Sequence, residues 1–200
     1  MLGPMTVGTA ERGGRSPERR RELLDAADRV IRREGPEASM AAIAAEAGIT
    51  KPILYRHFGD KSGLYQALAE RHTRRVIDML RPEFARAMDD PRARARAAVG
   101  TYLDTISAHP NLYRFLFHRA SAEDSRTHTR MTAVVRGVGE ELAAVLAEEG
   151  AADPVRAQLL GHAFVGMVRA IGDWWLDSPG LDRDAVVDGV ADVIAGALGA

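Results

Sequence analysis

Apolar residues along this chain recur at three- and four-residue spacing, and the β-branched two-residue alternation of a strand is absent. Leu23, Leu24, Ala27, Val30 and Ile31 make the first stripe, in a helix predicted from Pro17 to about Glu34 and stopped by Gly35-Pro36. Its other face alternates in charge, with Asp25 and Arg29, and Asp28 and Arg32, spaced to pair one turn apart. Short helices follow at about 40–47 and 51–58. Asp60 caps a longer one that turns Leu64, Leu68, Val76, Met79 and Leu80 inward, and Pro82 ends or kinks it, with a remnant to Met88. Further helices are predicted at 92–108, 110–118, 123–149, 154–177 and 183–198. The breaks fall at His109-Pro110, Ser121, Gly150 to Pro154, and Ser178-Pro179-Gly180. The predicted fold is all-α, with about nine helices.

Residues 39 to 61, SMAAIAAEAGITKPILYRHFGDK, carry the most chemistry. Ser39 can cap the first short helix through its hydroxyl. Ile43, Ala44 and Ala47 form its inner face, and Gly48 can take the positive φ that ends it. Thr50 caps the second helix, where Pro52 is tolerated because first-turn N–H groups have no intrahelical partner. Leu54 and Phe58 turn inward, which leaves Lys51, Pro52, Ile53, Tyr55, Arg56 and His57 facing outward. Two short helices across a tight glycine turn form a helix-turn-helix whose second helix can lie in the DNA major groove. Lys51 can donate to guanine O6 and N7, while Pro52 and Ile53 offer apolar surface to a thymine methyl. Tyr55 and His57 reach phosphate oxygens, which fix position without reading sequence. Singly, each residue fits a blander role, as a cover for a small core or a solvated cation. Their joint spacing after the glycine turn favours DNA.

Two hundred residues with 46% apolar content are ample for a buried core. A net charge of −1 speaks against a general nucleic-acid coat, but the charge is unevenly spread. Residues 1–75 hold 14 of the 27 Lys/Arg and 10 of the 28 Asp/Glu, and residues 76–200 hold the remaining 13 and 18. That polarity fits a DNA-facing head on an acidic body. The lack of cysteine removes disulfides and thiolate zinc sites and fits a reducing cytoplasm. The first 20 residues have no apolar signal-peptide region, and no stretch approaches the ~18 apolar residues of a membrane span. Residues 1–17 read as a flexible arm. The arm and the arginines from Arg12 to Arg33 could add DNA contacts, although Arg and Asp alternate as on a solvated helix face.

With these residues in view, the chain resembles the tetracycline-repressor (TetR) family of bacterial transcription regulators. The likeness covers chiefly 19–71, and its most specific part is AGITKPILYRHFGDK followed by GLYQAL, with L-Y-x-x-F at Leu54 to Phe58 and Lys61 three residues on. The resemblance implies a homodimer in which each three-helix head, residues 18–63, binds an operator half-site. It implies an effector pocket in each body, residues 64–200, and a four-helix dimer seam from the last two long helices. By position, Lys51, Pro52 and Ile53 fall where such proteins touch base edges, and Tyr55, His57 and Lys61 where they contact phosphate. Ser39 falls at the phosphate-facing start of the preceding helix, and Thr50 and Arg56 complete the candidate set. The chain departs from the pattern at Ala41 and Ala42, where relatives often carry polar side chains. Gly63 also stands in the first turn of a helix, at up to ~1 kcal/mol of propensity, which predicts a softer joint between head and body.

Aromatic and thioether residues gather in the body, with His118, His128, His162, Arg114 and Asp173 as polar handles. Core packing accounts for any one of them, and the resemblance favours a pocket for an apolar effector. Its candidate lining is Tyr102, Phe115, Phe117, His118, Met131, Phe164, Met167 and Trp174. The neighbours Trp174 and Trp175 project about 100° apart, so only one can face inward. Small residues on helix 154–177 and a stripe on helix 183–198 suit packing within the chain and between chains equally. The resemblance tips Leu159, Gly166, Val186, Val190, Val193 and Ile194 towards a dimer seam.

The motifs G-x-S-x-G, H-E-x-x-H, a phosphate-binding glycine loop and any histidine pair at i, i+3 or i+4 are absent. The expectation is a ligand-responsive repressor that needs no cofactor or metal and has no enzymatic role. Its partners would be double-stranded operator DNA, a small apolar effector and a second copy of itself. Two other classes fit: a helical ligand carrier or enzyme that keeps the head, and an architectural DNA-binding protein without effector.

Overall fold

The computed structural model describes residues 11–85 and 90–199, and among these there is no strand. Helix α1 (Glu11–Glu34) begins before Pro17, which lies inside it. Proline forgoes one backbone hydrogen bond, and the helix runs through that gap. Residues 1–10 of the predicted arm and the remnant after Pro82 at 86–88 lie outside the described residues. A 3₁₀ turn (Gly35–Glu37) leads to α2 (Met40–Glu46), α3 (Lys51–Phe58) and α4 (Lys61–Ala85), which continues past Pro82. The body adds α5 (Pro91–Ala108), α6 (Pro110–Arg114), a π-helical stretch (Phe115–Ala120) and the single turn α7 (Ser121–Glu123). The long helices α8 (Ser125–Glu148), α9 (Pro154–Leu176) and α10 (Arg183–Leu198) complete it. The all-α expectation holds, with α7 as a single turn that the sequence pattern did not separate.

Aspartates start the four longest body helices. Asp90, Asp124, Asp153 and Asp182 each accept a first-turn backbone N–H of α5, α8, α9 and α10. Two apolar cores result. One joins the stripes of α1, α2 and α3 to Leu64, Tyr65 and Leu68 of α4 and takes in Leu112, Phe115, Leu116 and Met131. The other lies among α5, α8, α9 and α10 around Leu103, Leu146, Phe164 and Val190. Helices α8 and α9 approach most closely at glycines, since a Cβ on Gly161 would sit 2.4 Å from the Gly139 carbonyl oxygen.

Helix α4 belongs to both halves, and ion pairs fasten it to α1. The carboxylates expected to meet arginines one turn on instead turn across to α4. Asp25 bonds Arg71, and Asp28, itself buried, lies 2.6 Å from His72 Nε2. Stripe residues and carboxylates share the inner side of α1, so the acids meet the neighbouring helix before they meet solvent.

Candidate nucleic-acid interface and body cavity

The turn between α2 and α3 has the local chemistry the sequence asks for. Ser39 Oγ accepts from Ala42 N at 3.1 Å, and Gly48 has φ +65°. Thr50 holds the cap position of α3, but its hydroxyl makes no cap bond. The second helical position is Pro52, which has no N–H, and the Ile53 N–H goes to the Thr50 carbonyl at 3.0 Å. Thr50 therefore stays exposed, next to exposed Lys51.

Leu54 and Phe58 are buried and anchor α3 on the head core. Lys51, Pro52 and Arg56 are exposed, and Ile53, Tyr55 and His57 are half-buried. Tyr55 packs against the head core and is only partly covered, so its place in the core leaves part of the side chain accessible. Arg20 of α1 braces the far end of α3, a contact the sequence reading missed. Its guanidinium donates to the His57 carbonyl at 2.8 Å and lies 4.4 Å over the Phe58 ring. Arg29 and Arg33 clamp Glu46 on α2, and their hydrogen bonds hold that carboxylate below its ordinary range. Arg19, Arg20, Arg29 and Arg33, all among the arginines proposed for DNA contact, thus have partners within the head. Lys61 Nζ donates to Glu123 Oε2 at 2.5 Å, and that bond keeps the ammonium more firmly protonated despite partial burial.

Gly63 also stands at a close approach that helix propensity does not describe. A Cβ there would lie 1.8 Å from the Phe58 carbonyl oxygen, and the Gly63 N–H bonds Asp60 Oδ1 at 2.7 Å. The absent side chain lets α4 start directly against the end of α3.

The body holds an apolar cavity of about 150 Å³. Tyr102, Phe117 and Phe164 line it, as the sequence suggested. The other five candidates are elsewhere. Phe115 and Met131 are buried in the head-side core, and Phe115 meets Tyr65 edge-on at 5.0 Å. Met167 packs in the second core without reaching the cavity, His118 is exposed, and Trp174 is 56% exposed. The walls are mainly aliphatic side chains that the search for aromatics passed over: Val76 and Leu80 of α4, Ala98 and Val99 of α5, and Val134, Val135, Val138, Leu142 and Val145 of α8. The i, i+4 run Val134, Val138, Leu142 was the available signal, a second apolar face on a helix already buried through Met131, Gly139 and Leu146. Two arginines border the cavity. Arg94 is spent on Glu149 at 2.7 Å, and Arg169 pairs with Asp173 at 3.4 Å beside the Phe117 ring. Tyr113 donates to Asp173 at 2.7 Å and stands 3.3 Å from the Tyr102 hydroxyl, which burial pushes up to about 12.

The candidate seam residues divide in two. Val190 and Ile194 are buried in their own chain, and Ile194 borders the cavity, because the inner stripe of α10 packs on α5. Leu159 is 67% exposed, Val193 and Gly166 are exposed, and Val186 is half-buried. Val155, Leu159, Ala163, Gly166, Ala170 and Trp174 lie along one outward face of α9. Among the described residues, no helix is long and apolar enough to cross a membrane, and no cluster of acidic and histidine side chains could hold a metal.

Comparison with known proteins agrees with this geometry. Residues 23–68 match the family described as bacterial regulatory proteins, tetR family, and residues 83–200 match the tetracyclin repressor-like C-terminal domain. The HTH-type transcriptional activator FasR of Mycolicibacterium smegmatis is 30% identical over 197 residues, 96% of this chain and 89% of that protein. A tetR-family regulator from Streptomyces coelicolor superposes with a TM-score of 0.74 at 24% identity, covering 90% of this chain and 80% of that one. FadR of Bacillus subtilis, solved in complex with stearoyl-CoA, gives 0.70 at 16% identity, covering 88% and 98%.

Proposed function

The chain belongs to the TetR family of DNA-binding transcription regulators, and on that footing we propose that it is a homodimeric repressor released from its operator by a small apolar effector. The observation that carries the reading is the row of exposed Lys51 and Pro52 and half-buried Ile53 at the start of a braced helix, with Ser39, Thr50, Tyr55, Arg56, His57 and Lys61 as the further candidates. In this reading Lys51, Pro52 and Ile53 read base edges, and Tyr55, His57 and Lys61 hold phosphate and so fix the register.

The cavity supports the effector. Aliphatic walls favour an apolar guest, and dry apolar cavities of about this volume accept a benzene-sized one. The Bacillus subtilis neighbour was solved with stearoyl-CoA, and the walls here suit a short or branched acyl chain. Helices α4 and α8 line the cavity and also reach the head, so an occupant that moves them changes the spacing of two heads on DNA. Such coupling is typically ~1–3 kcal/mol, or ~5–150-fold in operator affinity. The outward apolar face of α9 supports the dimer, since an exposed apolar stripe of this extent marks a surface that meets a partner.

Sequencing the DNA fragments retained by the purified protein tests the reading, with a two-fold symmetric sequence expected. Recovery of no enriched sequence would overturn it. Leu159→Asp should leave the fold intact and yield monomers that lose the operator, as sedimentation velocity and gel shift would show. Val190→Asp should instead unfold the chain, because it places a charge in the chain's own core. A second output, activation, is favoured by the name of FasR. Transcription in vitro from the recovered promoter separates the two, since added protein lowers the transcript for a repressor and raises it for an activator.

A further inference from the structure

Lys61 stands where the head would grip a phosphate, yet its ammonium is already engaged. Glu123 Oε2 accepts from it at 2.5 Å and from the Tyr65 hydroxyl at 3.3 Å. The next residues form a second tie, Ser62 Oγ donating to Asp124 Oδ1 at 2.7 Å. The other oxygen of Asp124 caps α8, accepting from Thr127 N at 2.8 Å and from its hydroxyl at 2.6 Å. The first turn of α4 is thus fastened to the α7–α8 junction, and α8 goes on to line the cavity.

Given that the head binds operator DNA, we infer that Glu123 sets operator affinity by competing with backbone phosphate for Lys61. A carboxylate in contact with the ammonium cancels most of the field a phosphate would feel, so docking must exchange one anion for another. The pair is half in water, with the Lys61 and Glu123 side chains 46% and 37% exposed, so the exchange needs no unfolding of the junction. Glu123 immediately precedes the α8 cap, and its hold on Lys61 changes with any displacement of α8. The same ion pair therefore belongs to the DNA surface and to the helix that lines the cavity.

The competition is sequence-independent, so any labelled duplex reports it, and anisotropy with a random-sequence duplex is sufficient. Glu123→Gln keeps shape and removes charge. It should tighten binding by roughly two- to fivefold per half-site, the range of an exposed ion pair. It should also steepen the dependence of log affinity on log salt by about one unit for each lysine released. In a Lys61→Ala background the same substitution should change nothing, because the contested cation is gone. Unchanged affinity in Glu123→Gln, with its circular-dichroism melt intact, would overturn the competition. So would a gain that persists without Lys61, which would make Glu123 a plain repulsive charge. Failure of the wild-type protein to bind any duplex would overturn the proposed function along with this inference.

Discussion

The two functional regions of this molecule are built in opposite ways. The residues proposed to meet DNA, Lys61 apart, lie between Ser39 and His57, in two short helices and their turn. The wall of the body cavity comes from α4, α5, α8, α9 and α10 together with Phe117, groups spread from Val76 to Leu198. In the head, backbone hydrogen bonds and one glycine at φ +65° fix where side chains point. In the body, the space is what remains when five helices pack, and no local rule sets its position. The first arrangement suits a rigid reader of a fixed groove. The second suits a cavity whose shape can move with its occupant.

Both regions rest on a glycine at a close approach, and removing each should break one region at a time. Gly161→Val would push a side chain onto the Gly139 carbonyl, 2.4 Å from its Cβ, and onto Ala143 N at 2.9 Å. Both are backbone atoms in a packed pair of helices, so α8 and α9 must separate. The expected cost is at least the upper end of the ~1–3 kcal/mol of overpacking, or ~6–12 °C in Tm. Gly63→Ala opposes up to ~1 kcal/mol of improved helix propensity to a clash with the Phe58 carbonyl, and the clash should win. Its net loss should be smaller and should fall on DNA binding. A Gly63→Ala protein that melted higher and bound DNA normally would show that the joint is not set by that contact.

These glycines also show how far the sequence could be read. Leu54, Phe58 and Gly48 follow from spacing alone, because the partners of a short helix lie a few residues away. Thr50 misled because its hydroxyl was judged without the consequence of Pro52 for the bond it would accept. Gly63 was legible only in part, because propensity describes an isolated helix, whereas the Phe58 carbonyl belongs to the helix before. In the body, Phe115 and Met131 carry the pattern of pocket residues but seal the contact between head and body. Periodicity gives the buried face of a helix, and it cannot say which of two cores that face enters. The outward face of α9 was half legible. Leu159 and Gly166 stand on it, while Val190 and Ile194 satisfy the same pattern inside their own chain.

A finer test lies within the head, between groups that read bases and groups that hold phosphate. Lys51→Ala should relax preference at one operator position, at ~1–3 kcal/mol, and leave other positions unchanged. Tyr55→Phe should weaken all sequences alike and by less, since its ring still packs on the head core. Binding to a panel of operator variants would separate them. Equal loss of specificity from both would remove the division into central readers and flanking anchors.

The smallest expected effect is spectroscopic and bears on the body. Trp174 and Trp175 project in different directions from α9, and neither borders the cavity. Trp174 lies on the outward apolar face, while Trp175 is half-buried and donates from Nε1 to the Leu181 carbonyl at 3.4 Å. Indole emission should therefore report assembly rather than occupancy. If the α9 face meets a second copy, dilution below the dimer's dissociation constant returns the Trp174 ring to water and shifts emission to longer wavelength. An apolar occupant of the cavity, with decanoic acid as the probe, should leave the emission maximum where it is. In Trp174→Phe the dilution shift should vanish, because the remaining indole keeps its surroundings within one chain. A shift caused by decanoic acid at constant protein concentration would mean that occupancy reaches the outward face of α9. Cavity and seam would then be a single coupled unit, and the contrast between a rigid head and a yielding body would extend to the dimer itself.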